Sequence, residues 1–334
     1  MWTFSIGRAW GLMMQTLPFI MLRCLVYFGI TLAYILATGV GSGIGWGVGG
    51  FGDTDFRAAA TVWGGFIGLG VAGAAMYFLR EYILYIVKAG HIAVMVRLLD
   101  GQPMPEGQSQ IDYAKRVVGQ RFGQASMLFG LDQLIKGVVK AITGLVQGVA
   151  GLLPIPGLQN LMSVVRAFLR LAIGLIDEVI LAYAIRTESE NPWLSARTAL
   201  VLYGQNGGIM LRNAAWLTLI VYGLSILVFL FCLAPAAALV YMLPGAWSAG
   251  GMVFALLFAW AVKAALIEPF AIACLLQAWF KAIEGQSPDP QWEARLDAAS
   301  TQFKRLRDKA GSWVGGTAAP TDATDPAGPS VPGA

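Results

Sequence analysis

Six long apolar stretches fill most of this 334-residue chain and restrict the folds that are open to it. A helix needs about 20 apolar residues to cross the hydrocarbon core of a bilayer, and each stretch reaches that length. Charged residues interrupt the third and the fourth. The stretches are 17–40, 62–87, 126–153, 158–185, 214–243 and 250–280. This pattern predicts an all-α polytopic membrane protein with about six transmembrane helices.

The composition agrees with a membrane location. Hydrophobic residues make up 57% of the chain and charged residues 13%, whereas a soluble domain carries roughly a quarter charged residues. The N-terminus has neither a basic region nor a small-residue cleavage site, so we expect no cleavable signal peptide. Cys24, Cys232 and Cys274 stand singly within apolar stretches, where we expect small buried side chains rather than a disulfide or a metal site.

Lys and Arg concentrate in alternate connections between the stretches, and short basic connections stay in the cytoplasm. The basic segments are those between the second and third stretches, between the fourth and fifth, and after residue 280. We therefore predict an inner-membrane protein with both termini cytoplasmic. Anionic lipid headgroups then explain the net charge of +4, and no nucleic-acid partner is needed.

A threefold repeat follows from this topology. Each unit has a short cytoplasmic amphipathic helix and two spans joined by a compact outer turn, and the units begin near residues 1, 105 and 192. We expect the short helices to lie in the headgroup plane. The alternative is that polar caps between spans only resemble a repeat. The predicted divisions are amphipathic helices with hairpins at 1–99, 100–190 and 191–283, an amphipathic helix at 284–309 and a disordered tail at 310–334.

The apolar faces of these short helices are spaced as a helix requires. They comprise Ile111, Ala114, Val117 and Val118, then Trp193, Ala196, Leu200 and Tyr203, and finally Trp292, Leu296, Ala299 and Phe303.

A glycine tract follows the first stretch. Gly41, Gly45 and Gly49 share one face if the tract is helical, and Gly64 and Gly68 do the same on the second stretch. Small residues let helix backbones approach closely in lipid, which favours close packing within the first hairpin. A flexible outer loop and an oligomeric pore lining are the alternatives. The formal G-x-G-x-x-G match at 45–50 follows a span instead of a strand, so it does not indicate a nucleotide site.

The middle hairpin is rich in charge. Ionisable groups at membrane depth are costly and often functional, and their spacing places several on common helix faces. We predict an ionic seam between the third and fourth spans that is formed by Asp132, Lys136, Arg166, Arg170 and Asp177, with Glu178 as a further pathway candidate beside it. The seam either lines a polar pathway for a solute or belongs to interfacial segments whose charges reach the headgroups.

Glu268 is the most specific single candidate for a functional residue within the spans. It precedes Pro269 within the last stretch, and proline removes a backbone donor and frees a carbonyl one turn earlier. An acid beside a broken helix indicates a cation or proton site, and flanking Trp260 and Trp279 would suit a quaternary ammonium. The alternative is a structural kink in which Glu268 bonds Lys263 or a neighbouring helix.

No pattern in the chain indicates catalysis. His91 is the only histidine, which excludes a multi-histidine metal site, and no serine in a strand-turn-helix context accompanies it. We expect an interfacial, hydrogen-bonded histidine, no cofactor, no metal and no enzyme activity.

The C-terminal third resembles the choline-transporter-like family. The resemblance rests on Ser-Ala-Arg-Thr-Ala at 195–199, Met-Leu-Arg-Asn at 210–213 before a long span, the acid Glu268, and the amphipathic segment at 292–306. The chain lacks the larger number of spans and the large outer region of that family. Its whole layout is similar to bacterial six-span inner-membrane proteins built from surface helices and hairpins, many of unknown role.

Two functions follow from these observations. The first is a transporter or channel for a small solute, with an organic cation such as choline implied by the resemblance. The second is a non-transporting scaffold that organises lipids through its surface helices and basic face. The lipid bilayer and anionic headgroups are the expected partners, and a homo-oligomer stays open.

Overall fold

The computed structural model describes residues 2–122, 176–242 and 250–313, together with positions 130, 131, 134, 135, 137 and 138. All regular structure in this part is helical, so the all-α prediction is confirmed there. The helices are α1 Ile6–Gln15, α2 Leu17–Val48, α3 Thr54–Leu99, α4 Gln110–Phe122, α5 Ile176–Arg186, α6 Pro192–Gln205, α7 Gly207–Met242, α8 Gly250–Val262, α9 Glu268–Ala282, α10 Pro290–Ala299 and α11 Thr301–Gly311.

Four segments of the described residues are long and apolar enough to cross a membrane, which identifies the chain as a membrane protein. They are Leu17–Phe51, Thr54–Tyr77, Gly207–Ala234 and Leu256–Ala282. Buried residues make up 33%, 11% and 22% of the first three, which leaves most of their side chains exposed as lipid contact requires, but 56% of the last, which packs largely against protein. The arrangement of six spans as three hairpins stays a prediction, because most of the middle hairpin lies outside the described residues.

The connection between the first two spans is shorter than the sequence indicated. We expected it to cover residues 41–61, but α2 continues through the glycine tract to Val48. Only a 3-10 turn at Gly49–Phe51 and two further residues separate α2 from α3. The backbone N–H of Phe56 donates to Asp53 Oδ1 at 2.8 Å, which caps the new helix. A flexible outer loop over the tract is therefore excluded.

The glycine tract is helical and packs tightly, because the backbone of α3 occupies the space in which side chains would otherwise lie. A Cβ added at Gly41 would lie 2.2 Å from the carbonyl oxygen of Gly64, and one at Gly45 would lie 2.0 Å from that of Ala60. At Gly68 the distance to the Ala37 carbonyl oxygen would be 2.1 Å. The predicted close packing within the first hairpin is confirmed.

Helix length divides the molecule into two ends. The turn end carries Asp53, Asp55 and Arg57, charged residues that mark it as lying outside the hydrocarbon. From Ala60 to Lys88, α3 rises about 42 Å, which exceeds the roughly 30 Å of hydrocarbon. The opposite end, here called the base, therefore extends beyond the membrane core, and α3 enters a packed helical core there.

The core at the base consists mainly of helix ends and short helices. Residues 89–96 of α3 are all buried; α4, α5 and α9 pack against α3, and α6 packs against α5. The short helices α4, α6 and α11 turn apolar residues toward this core. Ala114, Leu200 and Phe303 are buried there, one from each helix. Protein therefore covers part of the α4 face and most of the faces of α6 and α11, and the expectation that these helices lie in the headgroup plane stays a prediction.

The predicted C-terminal amphipathic helix is in fact two helices, α10 and α11, which break at Ser300. The Ser300 hydroxyl caps α11 by accepting from the Phe303 N–H. One member of the predicted apolar face, Ala299, is exposed beside this break. The part of the predicted disordered tail from residue 314 onward lies outside the described residues.

Helix α1 retains an apolar exposed face. Ile6, Trp10 and Met14 are spaced one turn apart and all are exposed, while Ala9 and Leu12 of the opposite face are buried. The exposed stripe continues onto the first span at Leu17 and Met21, so α1 presents an apolar face of the kind that an interfacial helix needs, and its place in the headgroup plane stays a prediction.

Junctions between short and long helices recur in the chain. A single buried polar residue joins α1 to α2 at Thr16, and another joins α6 to α7 at Asn206. This similarity accords with the first and third units of the proposed repeat. The repeat and the domain divisions stay predictions.

Replacing Gly45 by alanine should destabilise the hairpin, because the new methyl group would meet the Ala60 carbonyl. We expect a loss of about 1–3 kcal/mol, seen as a lower thermal unfolding midpoint in detergent. Gly43→Ala is the matched control, since a Cβ there meets nothing within 4 Å. The control should be neutral or stabilising because alanine favours the helix. Equal midpoints for the two variants would contradict close packing.

Candidate functional site

A guanidinium lies buried where the first and last described spans meet. Arg23 of α2 is only 3% exposed, and its Nη1 donates to the carbonyl oxygen of Ala264 at 3.4 Å. Our sequence interpretation omitted Arg23 from the site. A lone cation inside the stretch 17–40 was a signal that could have revealed it, because such residues are rarely tolerated in lipid without a partner.

The acceptor of Arg23 exists because of a distortion in the last span. The N–H of Glu268 donates to the carbonyl of Lys263, five residues earlier, which defines a π-helical turn. In that register the Ala264 carbonyl would need an N–H from residue 269, which is proline and has none. Arg23 supplies the missing donor. The predicted freed carbonyl is confirmed, although the helix bulges at this point and does not break.

A second group of charges joins α3 to α5. Lys88 contacts the carboxylates of Glu178 and, at 3.5 Å, Asp177. Both acids are buried, and Lys88 is one quarter exposed. Burial alone would lower the pKa of Lys88, but the charges of Glu178 and Asp177 outweigh it and raise that pKa above its usual value. The ammonium group therefore stays charged at physiological pH.

The two groups form one charge cluster at the base, which comprises Arg23, Lys88, Asp177, Glu178 and Glu268. The charges of Glu268 and Glu178 act favourably on Arg23. Two buried polar atoms of the cluster, Arg23 Nε and Glu178 Oε2, have no hydrogen-bond partner among the described residues. A buried polar atom without a partner is costly, so these atoms mark a place where a further polar species would bind favourably.

The charge cluster lies nearer the membrane boundary than we predicted. Arg23 is 22 residues from Gly45, or about 33 Å of helix, which is close to the full hydrocarbon thickness. Because Arg23 contacts the π-helical turn, Glu268 must also lie near the base and not at the midplane. The cost of burying these charges is correspondingly smaller than at the bilayer centre.

Trp260 and Trp279 do not form the predicted aromatic site around Glu268. Trp260 packs edge-on against Tyr27 with ring centroids 5.3 Å apart, in a separate small cluster. Trp279 is fully buried in the core at the base, where it packs against Tyr203. Along the helix these tryptophans are about 12 Å and 16 Å from Glu268, which is too far for a shared cage.

The remaining predicted candidates divide into three outcomes. Lys263 lies in the π-helical turn, and it forms no ion pair with Glu268 within the described part of the chain. Asp177 and Glu178 belong to the charge cluster, with Lys88 as a partner that we had not assigned. The other members of the predicted seam lie outside the described residues; they are Asp132, Lys136, Arg166 and Arg170.

His91 is buried in the core at the base. Its Nε2 lies 2.9 Å from the Thr16 hydroxyl, at the junction of α1 and α2, and its ring stacks on Phe19. Burial, with a smaller contribution from the positive charge of Arg23, holds the pKa of His91 well below its usual range. The predicted hydrogen-bonded histidine is confirmed, but it lies inside the protein and not at a free interface.

Arg197 fastens the C-terminal helices to α6. Its Nε donates to Glu293 at 2.7 Å and its Nη2 to Asp297 at 2.9 Å. The guanidinium also lies over the Phe303 ring, with its central carbon 4.6 Å from the ring centroid. Asn191 adds a bond from its side-chain amide to the Ala310 carbonyl. These contacts give Arg197 a structural role.

The described residues contain no cluster of three or more His, Cys, Asp or Glu side chains that could hold a metal ion. No protein-family model, curated protein or solved structure matches the chain.

Lys88→Met should destabilise the fold by about 2–3 kcal/mol, because it leaves the buried Glu178 carboxylate without its cation. The double variant Lys88→Met/Glu178→Met should recover much of this loss, since neither charge then remains. Thermal unfolding in detergent gives the double-mutant cycle, with exposed Lys115→Met as the control. A loss no larger than that of the control would show that the pair is solvated.

Acidification should destabilise the protein through His91. The folded state holds the histidine neutral, while the unfolded chain binds a proton below about pH 6.5. The stabilisation that the neutral His91 provides is therefore fully present above that pH. Below it, the free energy of unfolding falls by about 1.4 kcal/mol per pH unit. His91→Gln should reduce the drop in unfolding midpoint between pH 7.5 and pH 5.0. An unchanged drop would show that other groups cause it.

Proposed function

We propose that this chain is a membrane transporter or channel for a small solute and that the charge cluster at the base lies on the route. The observation that carries the proposal is the pair of unpartnered buried atoms, Arg23 Nε and Glu178 Oε2. The structural network around Arg197 also leaves two buried atoms unpartnered, Arg197 Nη1 and Asp297 Oδ1, so the charge cluster is distinguished by lying beside the π-helical turn of a span.

The charges of the cluster favour a cationic solute. Three acids, Asp177, Glu178 and Glu268, face two cations, Arg23 and Lys88, which leaves an excess of one negative charge when all are ionised. A cation or a proton would balance this excess. The similarity of the C-terminal third to the choline-transporter-like family is the support for an organic cation such as choline. Trp260 packs on Tyr27 and Trp279 on Tyr203, so these two rings give no support for a quaternary ammonium at Glu268.

The π-helical turn supports movement at this site. A π turn can revert to α-helix by shifting one hydrogen-bond register, and such turns occur frequently at functional sites. Reversion at Lys263–Ile267 would return the Ala264 carbonyl to the Glu268 N–H and release Arg23. Substrate binding and helix geometry would then be coupled through one hydrogen bond.

The orientation is part of the same proposal. The base carries the half-buried Arg97 and the exposed basic residues Arg186, Arg212 and Lys281, so we place it and both termini on the cytoplasmic side of an inner membrane. Catalysis has no support in the described geometry, so we assign no enzyme activity.

A lipid-organising scaffold is the second candidate function. The observation in its favour is α1, whose exposed Ile6, Trp10 and Met14 present an apolar face to lipid at the edge of the base. The apolar faces of α6 and α11 argue against it, because protein buries them.

Uptake of a panel of labelled cationic solutes into proteoliposomes tests the proposal. We expect the wild-type protein to transport at least one of them, and Glu268→Gln and Arg23→Gln to reduce its initial rate by about tenfold or more. The exposed Glu106→Gln is the control and should transport normally. Wild-type protein that is inactive across the panel, or active variants, would overturn the proposal; inactivity combined with selective binding of anionic lipid would favour the scaffold.

A further inference from the structure

An open cavity of about 780 Å³ lies at the base, away from the charge cluster. Its walls come from the residues before and within the first turn of α1 and from the ends of α3, α5 and α9. Its volume falls in the range of about 300–1,000 Å³ that is typical of small-molecule sites. None of the five members of the charge cluster lines it, so the proposed function does not use this cavity.

The ionic lining of the cavity is predominantly basic. Arg8, Arg186 and Lys281 line it, against the acids Asp100 and Glu284. Asp100 is already neutralised by Arg186, whose Nη2 lies 2.7 Å away. The side chains of Arg8 and Lys281 make no ion pair among the described residues, so cationic donors remain available.

Arg8 is the most informative of these residues. Arg186 and Lys281 lie in the last turns of α5 and α9, where a cation stabilises the helix by complementing its dipole. Arg8 instead lies in the first turn of α1, where a cation opposes the dipole. Among the described residues, the side chain of Arg8 makes one hydrogen bond, from Nη2 to the Leu99 carbonyl at 2.9 Å. The stability of α1 therefore does not explain the cation, which instead caps the C-terminal end of α3 with one of its several N–H donors.

The position of the cavity indicates the source of an anionic ligand. Its wall includes the beginning of α1, and the exposed apolar face of that helix, Ile6, Trp10 and Met14, runs away from it toward the first span. An amphiphile could place a charged group beside Arg8 and its apolar chain along this face. Arg and Lys are the usual partners of phosphate oxygens, and clustered cations at a membrane edge bind anionic headgroups.

We infer that this cavity is a binding site for the phosphate group of an anionic phospholipid, held by Arg8 and Lys281 with Arg186 fixed at its side. Tyr183 also lines the cavity. The inference concerns a discrete site with a defined ligand, and it does not depend on whether the chain transports a solute.

Binding of short-chain phosphatidylglycerol, below its micelle concentration, to the detergent-solubilised full chain tests the inference. Native mass spectrometry or microcalorimetry provides the readout, with short-chain phosphatidylcholine and inorganic phosphate as separate arms. We expect wild-type protein to bind phosphatidylglycerol in preference to phosphatidylcholine. The double variant Arg8→Gln/Lys281→Gln should lose about tenfold or more in affinity, as expected when charge-assisted hydrogen bonds are removed.

The control double variant is Lys304→Gln/Arg305→Gln, which removes two exposed cations from α11 and leaves the cavity intact. It should bind like the wild type, and both double variants should keep the wild-type unfolding midpoint. Phosphate that binds alone and competes would show that the cavity also takes free anions, while phosphate that fails to bind would assign it to lipid. Equal binding of both lipids, equal loss in both double variants, or no binding of any ligand would overturn the inference.

Discussion

The bond between Arg23 and the Ala264 carbonyl connects two problems that neither helix solves alone. A cation in the first span needs an acceptor, and a proline-distorted last span has a carbonyl without a donor. One contact resolves both and fixes the first span against the last, which are more than 200 residues apart in sequence. The other charges of the base are arranged around this contact, since Glu268 and Glu178 both act on Arg23.

The two ends of the bundle are stabilised by different forces. At the turn end, α2 and α3 approach so closely that their glycines leave no room for a methyl group, and dispersion between backbones replaces side-chain packing. At the base, a conventional apolar core with buried aromatic residues holds the short helices, and Arg197 fastens α10 and α11 onto it. Removal of lipid should therefore affect the turn end first, because less of it is buried.

Sequence patterns predicted the features that depend on local chemistry. The glycine faces follow from helical spacing, and the irregularity near Glu268 follows from the missing donor of Pro269. The features that depend on tertiary contact were not predictable in this way. In the sequence, Lys88 looks like any charged residue at the end of a membrane span. Only the tertiary fold brings it into contact with Glu178. Likewise, the apolar faces of α6 and α11 have the same spacing whether lipid or protein covers them.

The uninterrupted length of α3 gives the molecule a mechanical property. A continuous helix of 46 residues is stiff in bending and in torsion, so its two ends cannot reorient independently. A displacement of the short loop at the turn end would therefore be transmitted along the axis of α3 to Lys88 and His91 at the base. The helix itself makes this connection, so no chain of contacting side chains is needed.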